Sequence, residues 1–169
     1  MNDFFTKTDL SRKDAEGIIS ETLNNCDDGE LYLENSKSES IVLDDDKIKS
    51  SSYSSDLGYG LRAVTGEVVA YSHSNEISKK SLKESANNLS STLKSQKGIY
   101  NHEIPKSNEK FYKDVNPIEE KSLQSKLDLL KEVNNYTRAK GGMVQQVTAS
   151  FAGEHKSIEI IRSGGEVLT

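Results

Sequence analysis

The stretch from Gly29 to Ser74, GELYLENSKSESIVLDDDKIKSSSYSSDLGYGLRAVTGEVVAYSHS, sets short strands end to end with turn residues between them. Leu31, Leu33, Ile41 and Leu43 alternate with polar residues at the period of a strand that buries one face and wets the other. Asp44-Asp45-Asp46-Lys47 is a turn signal, and Thr65-Gly66 is another. Ile48 to Ser55 and Tyr59 to Val64 fill the chain between the two turns, and Val68 to Ser72 follows the second. This order predicts an antiparallel meander with one solvated face.

Three helices are expected around it. The first follows Leu10-Ser11 and places Ala15, Ile18, Ile19, Thr22, Leu23 and Cys26 on one face, with Ser11 as cap and Asp14 completing the box. Asp27-Asp28-Gly29 is expected to end it. The second begins at Ser78, stapled by Ile77 and Leu82, and carries the stripe Leu82, Ala86, Leu89 and Leu93. The third starts with Asn116 as cap and Pro117 in the first position, buries Ile118, Leu123, Leu127, Leu130 and Val133, and stops at Gly141-Gly142. Between the last two, Gln96 to Val115 reads as a surface loop. Beyond the third, Met143 to Phe151 and Ser157 to Arg162 read as strands joined by a turn at Ala152-Gly153-Glu154-His155. Ser163-Gly164-Gly165 turns again, and Glu166 to Thr169 starts as a strand. A strand opened in the last four residues is the pattern of a chain that continues, so a longer parent protein is expected.

A chain of 169 residues suits one domain, or one domain with a short extension. Its net charge of −5 and pI of about 5.3 argue against non-specific association with nucleic acid or an anionic membrane. No apolar run approaches the roughly 20 residues that span a bilayer, and the opening MNDFFTKTDLSRKD lacks the apolar centre of a signal peptide. A cytoplasmic location is expected. The single cysteine, Cys26, excludes an internal disulfide and reads as a small core residue.

Chemistry-bearing motifs are sparse. Gly58-Tyr59-Gly60-Leu61-Arg62 superficially resembles a phosphate loop, but strand rather than helix follows it, so its glycines read as a bulge or a close backbone approach. Arg62 reads as a cross-strand pair, or as a carboxylate clamp on a partner. Tyr59 and Arg62 are the candidate contacts for a peptide or partner subunit. His73, His102 and His155 are far apart and have no metal-ligand spacing, and Glu34, Glu39 and Glu67 read as carboxylates on exposed strand faces. Catalytic and metal residues are therefore expected to be none within this chain. The serine run Ser50 to Ser55, broken by Tyr53, suits an edge strand or the wall of a wet cavity, and such an edge can add an extended peptide.

The stretch from Gly29 through the Ser38-Glu39-Ser40 strand, the GYGLRAVTGE segment and Ala70-Tyr71-Ser72 resembles the N-terminal region of the TldD/PmbA family, the "modulators of DNA gyrase", on its TldD side. The later run LDLLKEVNNYTRAKGGMVQQVTASFAGEHKSIEIIRSGGE is similar to that family's helix followed by a hairpin. The resemblance implies a zinc metallopeptidase subunit that pairs with a TldE/PmbA-like subunit around a chamber and cleaves unfolded peptides. It implies zinc in the full-length protein, held by a HExxxH motif and a later cysteine. This sequence has no HExxxH, so no metal is expected on this chain alone. The expected fold is α/β of the α+β type: a mixed, mostly antiparallel sheet with helices packed on one face, plus a third helix and a C-terminal β-hairpin. The expected organisation is a helix–meander–helix domain over 1–98, a surface loop over 99–116, and a helix plus hairpin over 117–169 that begins a following region. This piece would form chamber wall and partner contacts. The rival is a non-catalytic interaction module from a split or degenerate gene, and the gene sequence past Thr169 separates the two. Binding to nucleic acid or a membrane is not expected.

Overall fold

Asp45 and Asp46 both take positive φ, 47° and 66°. That is the primed two-residue turn whose twist matches paired strands, and it joins β1 (Asp28–Asp44) to β2 (Lys47–Thr65). Gly66, at φ 59°, turns the chain again into β3 (Val68–Ser74). The computed structural model describes residues 4–6, 8–93, 115–162 and 167–168. Its elements run α1 (Arg12–Leu23), β1, β2, β3, α2 (Lys79–Leu93), α3 (Pro117–Glu120), α4 (Leu123–Arg138), β4 (Thr148–Arg162) and β5 (Val167–Leu168). The strands form one antiparallel sheet in the order β3-β2-β1-β4-β5, giving the α+β fold and the meander expected from the sequence. No helix among the described residues is long and apolar enough to cross a membrane.

The chain divides into two compact units. The first comprises Met1–Asn35, Asp56–Lys113 and Ser157–Thr169. Its core joins Ala15, Ile19 and Leu23 of α1 and Leu82, Ala86, Leu89 and Leu93 of α2 to Leu31, Leu33, Tyr59, Leu61, Ala63 and Ala70 of the sheet. The caps behave as the sequence indicates. Asp14 N–H donates to Ser11 Oγ at 3.1 Å, and Ser81 N–H donates to Ser78 Oγ at 3.1 Å. Ile77 and Leu82 are both buried in this core, as a staple requires. Arg12 of α1 grips the buried Glu159 of β4 with both ends of its fork, at 2.6 and 2.8 Å.

The second unit comprises Ser36–Ser55 and Asp114–Lys156. Its smaller core holds Ile41, Leu43, Leu130 and Ala149, with Leu127 and Phe151 against it. Here a charge is buried. Lys126 of α4 is 6% exposed and pairs with Glu39 of β1, 11% exposed. The same ammonium donates to the Ile118 carbonyl at 2.7 Å and lies 5.6 Å from the Phe151 ring centroid.

Four expectations are corrected. The third helix is two helices: Lys121 is extended (φ −119°, ψ 139°), and Ser122 caps α4 by accepting from Ser125 N–H. The break resets the helical phase, so Lys126, Leu130 and Asn134 are buried while Leu123 and Val133 are 55% and 43% exposed. That helix also ends at Arg138, before Gly141-Gly142. The turn expected at Ala152–His155 does not form, because β4 runs unbroken from Thr148 to Arg162 with Gly153 beside Glu39 and Ile118. The C-terminal hairpin is instead β4 with β5, Ile160 opposite Leu168. Cys26 lies beyond α1, which ends at Leu23, yet is buried there. The loop expected over Gln96–Val115 and the turn at Ser163–Gly165 fall almost wholly outside the described residues.

Lys126→Ala strands Glu39 as a buried unpaired charge and should cost about 3–5 kcal/mol, whereas Lys126→Met with Glu39→Leu should cost far less. Equilibrium urea unfolding of the two variants checks the contrast.

Candidate functional site

In the first unit, alternation along the strands separates two faces. Leu31 and Leu33 enter the core, so Tyr32 and Glu34 point to the opposite face of β1. In β2 the same rule turns Leu61 and Ala63 inward and Gly58, Gly60 and Arg62 outward. In β3 it turns Ala70 inward and leaves Tyr71 and His73 exposed. Gly60 pairs with His73 and Arg62 with Tyr71.

The result is an open trough of about 370 Å³ lined by residues from all three strands and by Asn75 just after β3. Gly58 and Gly60 make its floor. A Cβ at Gly60 would stand 2.5 Å from Tyr71 Oη, and one at Gly58 would stand 2.8 Å from the Ser74 carbonyl. The close-approach reading of these glycines is what the structure shows. Tyr71 lies across the floor and stacks on His73, with ring centroids 5.8 Å apart and planes at 27°. Across the floor, Tyr32 Oη–H donates to Glu34 at 2.5 Å. Burial, then that hydrogen bond and the Glu34 charge, push the Tyr32 phenol up to about 12. It therefore stays protonated and holds the carboxylate in place. Asp56 and Leu57 close one end.

Arg62 sits on the same face and is committed to β1. Its Nη2 donates to Asp28 at 2.6 Å and its Nε to Glu30 at 3.2 Å. Partial burial pushes the Asp28 carboxyl up, but the hydrogen bond and charge of Arg62 outweigh it and hold the group below its ordinary range. Tyr59 lines the trough while its ring belongs to the core; its hydroxyl lies 2.9 Å from Ser81 and from Ser85 of α2. The serine run is exposed at every position, as is the whole of β2 from Lys47 to Leu57. Tyr32, Glu34, Tyr71 and His73 were not singled out together by the sequence. Their signal is the polar and aromatic phase of the same alternation that marks the core. Among the described residues no group of three or more His, Cys, Asp or Glu could hold a metal ion, so the trough does not fit a metal centre.

Residues 29–92, which include every lining residue, match the family model described as PmbA/TldA metallopeptidase domain 1. The chain belongs to the TldD/PmbA family. It is 33% identical over 144 residues to a "Metalloprotease TldD homolog" of Buchnera aphidicola from Acyrthosiphon pisum, covering 85% of this chain and 30% of that protein. It is 29% identical over 171 residues to the Haemophilus influenzae "Metalloprotease TldD homolog", covering 97% and 35%. The chain thus spans about a third of the length of these TldD/PmbA relatives. The fold recurs in a Bacteroides thetaiotaomicron protein named for modulation of DNA gyrase, at TM-score 0.67 and 19% identity over 92% of this chain and 37% of that one. It recurs also in TldE from Thermococcus kodakarensis, at TM-score 0.60 and 16% identity over 92% and 36%.

Two outcomes follow from this face of the family domain. Gly58→Ala drives a methyl into backbone and should destabilise by about 1–3 kcal/mol, while Gly60→Ala meets only the end of a movable tyrosine and should cost less; thermal unfolding ranks them. The raised Tyr32 pKa favours the protonated phenol in the folded state. Its stabilisation is complete below the ordinary tyrosine value near 10 and is lost as pH rises through about 12. Glu34→Gln should lower the pH at which this tyrosine ionises, read by ultraviolet titration.

Proposed function

We propose that this chain serves as the substrate-facing first domain of a TldD-like metallopeptidase that processes unfolded peptides with a TldE-like partner. The observation that carries the reading is the domain 1 match over residues 29–92, with relatives named metalloproteases at 33% and 29% identity. In this proposal the zinc and the groups that hydrolyse the peptide lie outside the described residues, and this chain binds and orients. The open face supplies what such a role needs: a floor of glycine backbone, aromatic walls and a carboxylate, Glu34, held by the Tyr32 hydroxyl. An extended peptide laid on it meets rings and backbone, contacts that place few demands on its sequence. Tyr59 and Arg62 are assigned peripheral contacts, Tyr59 through its backbone and Arg62 from its ion-paired position. The chamber wall, the partner contact, the domain boundaries at 98 and 116 and a cytoplasmic setting belong to the same proposal. The acidic balance of the chain speaks against nucleic acid as its ligand.

The test is a chimera in which this chain replaces the matching third of the Haemophilus influenzae TldD homolog, co-expressed with a TldE-like subunit. It should cleave a fluorogenic unfolded peptide, and a chelator should abolish cleavage. A chimera that folds and pairs but leaves the peptide intact would overturn the peptidase reading and favour the interaction module.

A further inference from the structure

We infer that the outer stripe of α4, formed by Leu129, Val133 and Tyr136, seats an apolar segment of the parent polypeptide that lies outside these 169 residues. The three side chains follow the i, i+4, i+7 spacing that lines one side of a helix. They are 49%, 43% and 65% exposed. The neighbouring stripe of the same helix is already in use: Leu130 shares a core with Ile41, Leu43 and Ala149, and Lys126 pairs with Glu39. Asp128, Lys131 and Glu132 are exposed on the remaining side. The Lys140 ammonium lies 4.0 Å from the Tyr136 ring centroid, at one end of the stripe.

Single exposed apolar residues are ordinary on a protein surface, but a row of them with a polar rim marks a contact. The occupant follows from the size of the row and from the relatives. Three half-exposed side chains fall far short of the roughly 800 Å² that each side of a stable interface between separate molecules buries. A tethered segment needs no such area, because the connecting chain keeps its local concentration high. The relatives have the chain to supply it: this sequence spans only 30% and 35% of the two TldD homologs. The match to the Haemophilus influenzae protein takes in 97% of this sequence, which leaves out too few residues to omit the 16 of α4. α4 also lies beyond residues 29–92, the part matched as domain 1. Such a seat requires family membership alone, not peptide hydrolysis.

Hydroxyl-radical footprinting, read residue by residue by mass spectrometry, tests this on the 169-residue chain and on the chimera with the Haemophilus influenzae homolog, without a partner subunit. In the chain alone Leu129 and Tyr136 should oxidise readily while Leu130, 3% exposed, is protected. In the chimera Leu129 and Tyr136 should lose that reactivity and approach the protection of Leu130. Val133→Glu should move the unfolding temperature of the 169-residue chain by no more than about 1–2 °C, as an exposed substitution does, and should lower that of the chimera by several degrees or abolish its folding. Equal oxidation of Tyr136 in both proteins, or protection that arises only when the TldE-like subunit is added, overturns the inference. So does protection within the 169-residue chain that rises with its concentration, the mark of a second copy. Neither readout involves hydrolysis. A covered stripe in an inactive chimera therefore sinks the peptidase reading alone, and an exposed stripe in an active chimera sinks the seat on α4 alone.

Discussion

The phase of β1, β2 and β3 relative to one another governs what this chain can present to a ligand. A slip of one residue between neighbouring strands would carry Leu31, Leu33 and Leu61 to solvent and Tyr32, Glu34 and Arg62 into the core. Several devices prevent it. The Asp45-Asp46 turn fixes one hairpin and Gly66 the other. Arg62 reaches from β2 to Asp28 and Glu30 on β1, so its fork also acts as a register pin. The Asp27 carboxylate accepts Gly66 N–H at 2.6 Å and ties the second turn to the start of β1. Core and trough are thus two readings of one alternation, and neither can be redesigned without the other.

Charge is distributed along β1 with the same economy. Its outward phase reads Asp28, Glu30, Tyr32, Glu34. The first two share a single arginine, the third is a phenol that stays protonated, and the fourth accepts the hydrogen bond of that phenol. One end of the strand is thus tied by a guanidinium and the other by a phenol. In the second unit the opposite strategy appears: Lys126 and Glu39 are both taken out of water and satisfied by each other, by a carbonyl and by a ring. Such a pair contributes little net stability but penalises any packing that separates its members.

Much of the fold was legible because its signals are local. The caps at Ser11 and Ser78, the stripe from Leu82 to Leu93 and the aspartate turn each lie within a few residues of one another. The failures share a different cause. Asn116-Pro117 announces a helix strongly enough to mask Ser122, which starts a second one five residues later in a new phase. Gly153 reads as a turn in isolation, yet it is strand, because the bulk beside it comes from Ile118 and Glu39, which are remote in sequence. The trough was hidden for the same reason. Tyr32, Gly60 and Tyr71 become neighbours only when three strands are paired in register, and no spacing along the chain records that.

The outer half of β2 shows what serine can do for an exposed strand. From Lys47 to Leu57 every residue is exposed, and five of the six positions from Ser50 to Ser55 are serine. A bare strand of valine and isoleucine there would seed stacking between molecules. Serine keeps the extended backbone while removing the apolar side chains that make such stacks adhesive. Along this stretch the large apolar side chains left exposed are Ile48, Tyr53 and Leu57, spaced apart by serine and charge rather than set side by side.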